Sequence, residues 1–393
     1  MKYSFKTSVE REGTNAEKYT LRKELFGTED VLPVWVADMD IETPPFVLDA
    51  IQQRLKHPII GYEEVPDSAF EAQISWLKEK HGMAYKREDF FYSHSVVASM
   101  NVAIEAFTKE GEGVIVQTPV YSPFFHTVIQ LGRKLIKNPL KLQEGGAYTF
   151  DIADLRAKID QNTKLLLLCS PHNPVGRVWK REELEAILEV CLEHNIIVYA
   201  DEIHSDLVYS PAKHIPFASL SPESNDISLT AVGVGKTFNM AGFAMSSVIV
   251  SNLELKQKFE KAYEKVHFAQ GAVLSHVAFE AAYKEGSEWV EALKEHLYAN
   301  YSRLEILCQR YEQLIKLTPI EATYLAWLDC RGMGLKDKEL RSFFIEEAKL
   351  GLNAGLGFGR EGSGFMRLNF AISYDKMTEV INRLEIALKN IGK

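Results

Sequence analysis

Seven short apolar runs, all lying between residues 90 and 250 and separated by amphipathic stretches, constrain this chain more than any other feature. The runs are Phe90–Ser93, Val114–Thr118, Lys134–Lys137, Leu165–Cys169, Ile196–Asp201, Leu229–Val232 and Ser246–Val250. Between them lie segments such as Arg181–Glu193, where Leu184, Ile187, Leu188 and Cys191 recur at the spacing of one helix face. Alternating strands and helices predict an α/β fold, with a mostly parallel sheet covered by helices on both faces. In such sheets ligands bind beyond the carboxyl ends of the strands, so the chemistry is sought there.

The remainder of the chain reads differently. Lys256–Tyr283 and Trp289–Leu317 have the pattern of long helices, and a smaller α+β segment with strands in Tyr324–Asp329 and Phe365–Phe370 follows. Lys376–Ile391 reads as a closing amphipathic helix. The expected division is an arm over 1–45 packed on the small domain, a large domain over 46–285 and a small C-terminal domain over 286–393. With 393 residues, 46% hydrophobic and 25% charged, the chain is long enough for such an arrangement and for a buried site.

Composition removes several classes of function. A formal net charge of −9 argues against a nucleic acid or an acidic membrane as partner. No apolar run approaches the roughly 20 residues of a membrane helix, and MKYSFKTSVE lacks the apolar segment of a secretion signal. Cys169, Cys191, Cys308 and Cys330 are scattered and form no C-x-x-C pair, so neither a metal site nor a disulfide framework is expected and a cytoplasmic location is.

Two motifs mislead. Gly235-Lys236-Thr237 is similar to the end of a phosphate-cradling nucleotide loop, but Thr230 stands where that loop needs its first glycine, and a new strand begins at Ser246. Gly357, Gly359 and Gly362 match G-x-G-x-x-G, yet they lead into the alternating Phe365–Phe370 and not into a helix, so a glycine-rich turn is expected.

The strand ends carry a coherent set of groups. Phe90–Ser93 is followed by Ser95-Val96-Val97-Ala98, a helix start whose free N–H groups suit a phosphate. Val114–Thr118 leads to Tyr121, Leu165–Cys169 to Asn173, Ile196–Asp201 to His204 and Leu229–Val232 to Lys236. Singly each has an ordinary explanation: Asn-Pro is usually a turn, Asp201 could cap a helix, and a lysine is usually solvated. Together they form a site for an aromatic ligand bearing a phosphate, a phenolic oxygen and a ring nitrogen.

The segments Ser170-Pro-His-Asn-Pro-Val-Gly176, Ala200-Asp-Glu-Ile-His204, Gly235-Lys-Thr-Phe-Asn-Met-Ala-Gly242 and Trp35-Val-Ala-Asp-Met-Asp40 resemble fold-type I pyridoxal 5'-phosphate (PLP) enzymes of the class I/II aminotransferase family. Their particular forms resemble the cystathionine β-lyase subgroup of the MalY and PatB type. The resemblance implies a seven-stranded large domain with Lys236 carrying the cofactor as a Schiff base and then acting as base at the substrate α-carbon. It implies Asp201 at the ring nitrogen, Asn173 at the phenolic oxygen and Tyr121 on the ring face, with His204, Val96 and Val97 also at the cofactor. Arg367 would clamp the substrate carboxylate, with Ala37 and Asn173 beside it, and no metal is implied. Tyr62 would reach the cofactor phosphate of a neighbouring subunit, making the enzyme a homodimer.

The implied reaction is α,β-elimination from L-cystathionine or related cysteine S-conjugates to a thiol, pyruvate and ammonia. The alternative is amino transfer to a 2-oxo acid, and a regulatory binding role rests on analogy alone. Aspartate-type aminotransferases have Tyr three residues after the ring-nitrogen Asp and Arg eight after the lysine, where this chain has His204 and Ala244, which favours the lyase. The chain also departs from its own subgroup, with Ser95 for the usual Gly, Ala98 for Pro, and Gly233 and Gly235 ahead of the lysine where serines are common. Phosphate binding is therefore expected to lean on backbone N–H groups.

Overall fold

The computed structural model describes residues 3–267 and 271–391. All seven apolar runs enter one sheet: β1 (Phe90–Ser93), β2 (Gly113–Val116), β3 (Lys134–Lys137), β4 (Thr163–Cys169), β5 (Ile197–Asp201), β6 (Ser228–Gly233) and β7 (Ser246–Ile249). Their order across the sheet is β1-β7-β6-β5-β4-β2-β3. Only β7 runs antiparallel to its neighbours.

Strand side chains alternate between faces, and here both faces are apolar. Leu165, Leu167 and Cys169 of β4 join the core beneath the helices Val96–Phe107 and Leu253–Tyr263. Leu166 and Leu168 join the opposite core, under the helix Arg181–Glu193. A strand buried on both sides has no polar face to alternate with, which is why central runs such as Leu165–Cys169 are continuously apolar. The pairing levels Cys169 with Asp201 and Asp201 with Ala231, so the carboxyl ends of the central strands form one even edge.

The stretch Lys256–Tyr283 is not one helix. It comes as Leu253–Tyr263 and Val273–Glu285, with His267 between them at a φ of 50°, in the left-handed region that a helix cannot continue through. Residues 268–270 of that stretch lie outside the described residues. A 24-residue helix, Ser287–Arg310, then leads to a second sheet of Lys316–Leu317, Leu325–Asp329, Phe365–Asn369 and Asn353–Ala354. The glycine-rich segment is a pair of tight turns, Gly355–Phe358 and Arg360–Gly362, feeding Phe365–Asn369. The last helix is Tyr374–Asn390.

Residues 34–41 run between the two sheets, held by two asparagines. Asn369 Nδ2 donates to Val36 O and Asp38 O, both at 2.6 Å. Asn239 accepts from Met39 N–H at 2.9 Å and donates to Ile41 O at 2.7 Å. Both pin a bent, irregular stretch of backbone, satisfying groups that would be costly to bury unpaired.

Candidate active site

A cavity of about 460 Å³ opens at the carboxyl edge of the large sheet. It is lined by Ala37, Val96, Val97, Tyr121, Asn173, Asp201, His204, Lys236 and Arg367, which sequence reasoning selected.

Asp201 ends β5 and is 4% exposed. Its Oδ1 accepts the Ile203 N–H at 3.1 Å. Burial drives its pKa up to about 7, against the pull of that N–H and of Lys236. Such a carboxylate is set to accept a cationic donor arriving with a ligand.

Lys236 lies on a helical turn, Val234–Thr237, entered directly from β6. Its Nζ donates to Ala37 O at 2.7 Å, an oxygen shared with the Tyr324 hydroxyl at 2.8 Å. Burial and the Arg367 charge push its pKa down to about 8. A neutral amine is the form that attacks a carbonyl, so this lysine is poised as a nucleophile near neutral pH. Thr237 holds the turn from behind, donating to Asp206 at 2.8 Å.

Arg367 is 4% exposed yet has no carboxylate within ion-pair distance among the described residues. Nη1 donates to Asn173 Oδ1 at 3.0 Å, and Nη2 to Trp35 O at 3.0 Å and Asn353 Oδ1 at 2.7 Å. Nε is buried without a hydrogen-bond partner among the described residues, and burial lowers the guanidinium pKa to about 10. The guanidinium carbon lies 4.7 Å from the centre of the Phe358 ring. Buried charges are normally paired, so a guanidinium fixed in direction and held only by neutral groups among the described residues can receive an anion.

The amide of Asn173 is oriented by Arg367, which leaves its NH2 group to donate. Its main-chain carbonyl accepts the Tyr121 N–H at 3.1 Å, joining the β4 and β2 loops. Tyr121 stays 39% exposed on the cavity wall, with a ring face to offer. Ser95 caps the helix Val96–Phe107, its Oγ taking the Ala98 N–H at 3.1 Å. That leaves the N–H groups of Val96 and Val97 for a ligand at the positive end of the helix.

His204 is 3% exposed and packs edge-on against Tyr324, with ring centres 6.1 Å apart. Burial, with Lys236 and Arg367 nearby, holds its pKa at about 3, so its imidazole is neutral. Tyr62 is the one selected residue that does not reach the cavity. It is 94% exposed, in a non-helical loop with Ile59 and Ile60, themselves 66% and 58% exposed.

Sequence reasoning missed the supporting residues. Tyr324 and Asn353 lie in segments with no motif around them, and Phe358 sits inside the glycine-rich segment that the sequence marks only as a turn. Trp35 begins a noted segment, but nothing local marks its carbonyl as an anchor for Arg367.

A family model for aminotransferases of class I and II matches residues 30–384. The chain is 39% identical over 386 residues to the cystathionine β-lyase PatB of Bacillus subtilis (strain 168), spanning 98% of this chain and 100% of that protein. Cystalysin from Treponema denticola, whose structure contains a pyridoxal 5'-phosphate cofactor, superimposes with a TM-score of 0.95 at 32% identity, over 99% of this chain and 100% of that one. The PLP-bound C–S lyase of Staphylococcus hominis, in complex with L-cycloserine, gives 0.91 at 32% identity over 98% of both chains. With the sheet order, the strand-end residues and full-length similarity in agreement, the chain belongs to the class I and II aminotransferase family.

Proposed function

We propose that this protein is a PLP-dependent carbon–sulfur β-lyase. It would convert a cysteine S-conjugate, R–S–CH2–CH(NH3+)–COO−, and water into R–SH, pyruvate and ammonium. The observation that carries this reading is the convergence of a buried amine (Lys236), a buried carboxylate (Asp201) and a buried guanidinium without an acid partner (Arg367) on one cavity.

The residues fit the cofactor. Lys236 would attach it, Asp201 would accept its ring N–H, Asn173 would donate to its phenolic oxygen, and Tyr121 would cover one ring face. The Val96 and Val97 N–H groups would take the phosphate. When bound, the cofactor supplies an electron sink for the pair left at the substrate α-carbon.

The protein's own part is positional and protolytic. Arg367 takes the substrate carboxylate with its planar fork, which fixes the rotation about the bond to the α-carbon. The Lys236 amine would take the α-proton and hold it on Nζ. Elimination over amino transfer is supported by the 39% identity with a cystathionine β-lyase and by Ala244, which stands eight residues after Lys236 where aspartate-type aminotransferases carry Arg. The exposed loop with Ile59, Ile60 and Tyr62 supports a homodimer in which Tyr62 completes the neighbour's site. Four buried, unpaired cysteines support a cytoplasmic setting.

The test is incubation with L-cystathionine and PLP, without any oxo acid, assaying pyruvate and free thiol. Stoichiometric release of both is expected, with none from Lys236→Ala, whose visible cofactor band should also disappear. Absence of pyruvate, followed by amino transfer once an oxo acid is added, would move the protein to the aminotransferases.

A further inference from the structure

Two carboxylates line the cavity, Asp201 and Glu17. Asp201 is buried at the end of β5, whereas Glu17 is exposed at the solvent edge. Glu17 opens a short helical turn, Glu17–Thr20, and its carboxylate makes no hydrogen bond or ion pair among the described residues. Nothing in the elimination requires an anion at the mouth, since the cofactor and the substrate carboxylate are both served from deeper in the cavity.

The position of Glu17 is nevertheless built. The next residue, Lys18, is fully buried, and its ammonium pairs with Asp38 at 2.8 Å and Asp40 at 3.2 Å. The Lys18 carbonyl accepts the Trp35 indole N–H at 3.1 Å, and the Trp35 carbonyl accepts Arg367 Nη2 at 3.0 Å. Two hydrogen bonds therefore tie the backbone beside Glu17 to the guanidinium at the cavity floor. A substrate held at Arg367 by its carboxylate would extend its S-linked group towards the mouth, where, among the described residues that line the cavity, Glu17 is the exposed carboxylate.

Resting on the lyase reading above, we propose that Glu17 is a specificity-determining residue that reads an ammonium group at the far end of the S-linked side chain. The preferred substrates are then cysteine conjugates whose leaving thiol carries a protonated amine, L-cystathionine with its distal amino group among them. Thiols ending in a carboxylate alone are disfavoured by the same charge.

The experiment uses the PLP-loaded enzyme and a matched pair, S-(2-aminoethyl)-L-cysteine and S-propyl-L-cysteine, which differ only in ammonium for methyl. The expected kcat/KM ratio favours the amine by about three- to tenfold, the range for a partly solvated ion pair, and falls to about one in Glu17→Gln. A ratio near one in the parent enzyme, or one that survives Glu17→Gln, overturns the assignment. Dissociation constants for L-lysine and L-2-aminoheptanoate, carbon analogues with no sulfur to lose, are measured in parallel by spectrophotometric titration. Should neither conjugate nor L-cystathionine yield pyruvate while L-lysine still binds more tightly in a Glu17-dependent way, the lyase reading fails and the role of Glu17 stands. Equal binding of the two analogues in that case removes both.

Discussion

Asp201→Asn should stabilise the cofactor-free protein and weaken the cofactor-loaded one, and the first effect can be sized from the structure. Burial raises the Asp201 carboxyl from 3.8 to about 7. At about 1.4 kcal/mol per pH unit, its full ionisation in the folded, cofactor-free protein costs about 4 kcal/mol. Because the folded state holds this proton more tightly than the unfolded chain does, its stability is intact below pH 4 and is lost as the pH rises through 7. Asparagine cannot ionise and still offers an oxygen to the Ile203 N–H. The variant should therefore gain about 2 kcal/mol at pH 5 and about 4 kcal/mol at pH 8.5. For 393 residues the unfolding entropy is about 0.8 kcal/mol/K, so the gain corresponds to a Tm increase of about 2 °C at pH 5 and about 5 °C at pH 8.5. The assay is differential scanning calorimetry of both proteins, stripped of PLP, at the two pH values. Equal Tm values at pH 8.5, or a difference that ignores pH, would refute the view that this carboxylate waits for a cation. With PLP restored the order should invert, because only the charged side chain can pair with a protonated ring nitrogen.

Two further outcomes follow from the same geometry. Arg367→Lys exchanges a fork held by Asn173, Asn353 and Trp35 for a point charge. The loss of one charge-assisted hydrogen bond should lower kcat/KM by about 10- to 150-fold while the visible cofactor spectrum persists, and a drop below threefold would exclude the carboxylate clamp. In the cofactor-free protein the Lys236 amine, pushed down to about 8, should react with trinitrobenzenesulfonate at half its maximal rate near pH 8. Peptide mapping across a pH series separates it from surface lysines, and a midpoint near pH 10 would show that burial does not tune it.

The large sheet was legible because its central strands are buried on both faces. Leu165–Cys169 and Leu229–Val232 had to be continuously apolar, and the carboxyl-edge rule then pointed to Asn173, Asp201 and Lys236 without any contact being known. The break within Lys256–Tyr283 was not legible, since apolar spacing continues through it and only the backbone turn at His267 shows where the helix stops. Tyr62 reads as a site residue in the resemblance and stands 94% exposed in the single chain, so no contact within one chain explains it.

The sequence by itself determined the fold class, the positions along the chain where chemistry can sit, and the residue types of the site. These follow from periodicity and from functional groups, both local properties of a chain. Only the tertiary structure decided how those groups are poised. The carbonyl that holds Lys236 belongs to Ala37, 199 residues away, and the carbonyl that orients Arg367 belongs to Trp35, 332 residues away. Backbone oxygens are present at every residue, so no pattern marks the two that matter. The protonation of Asp201, Lys236 and His204 is likewise set by burial, which exists only once the strands, the arm and the second sheet have closed around the cavity.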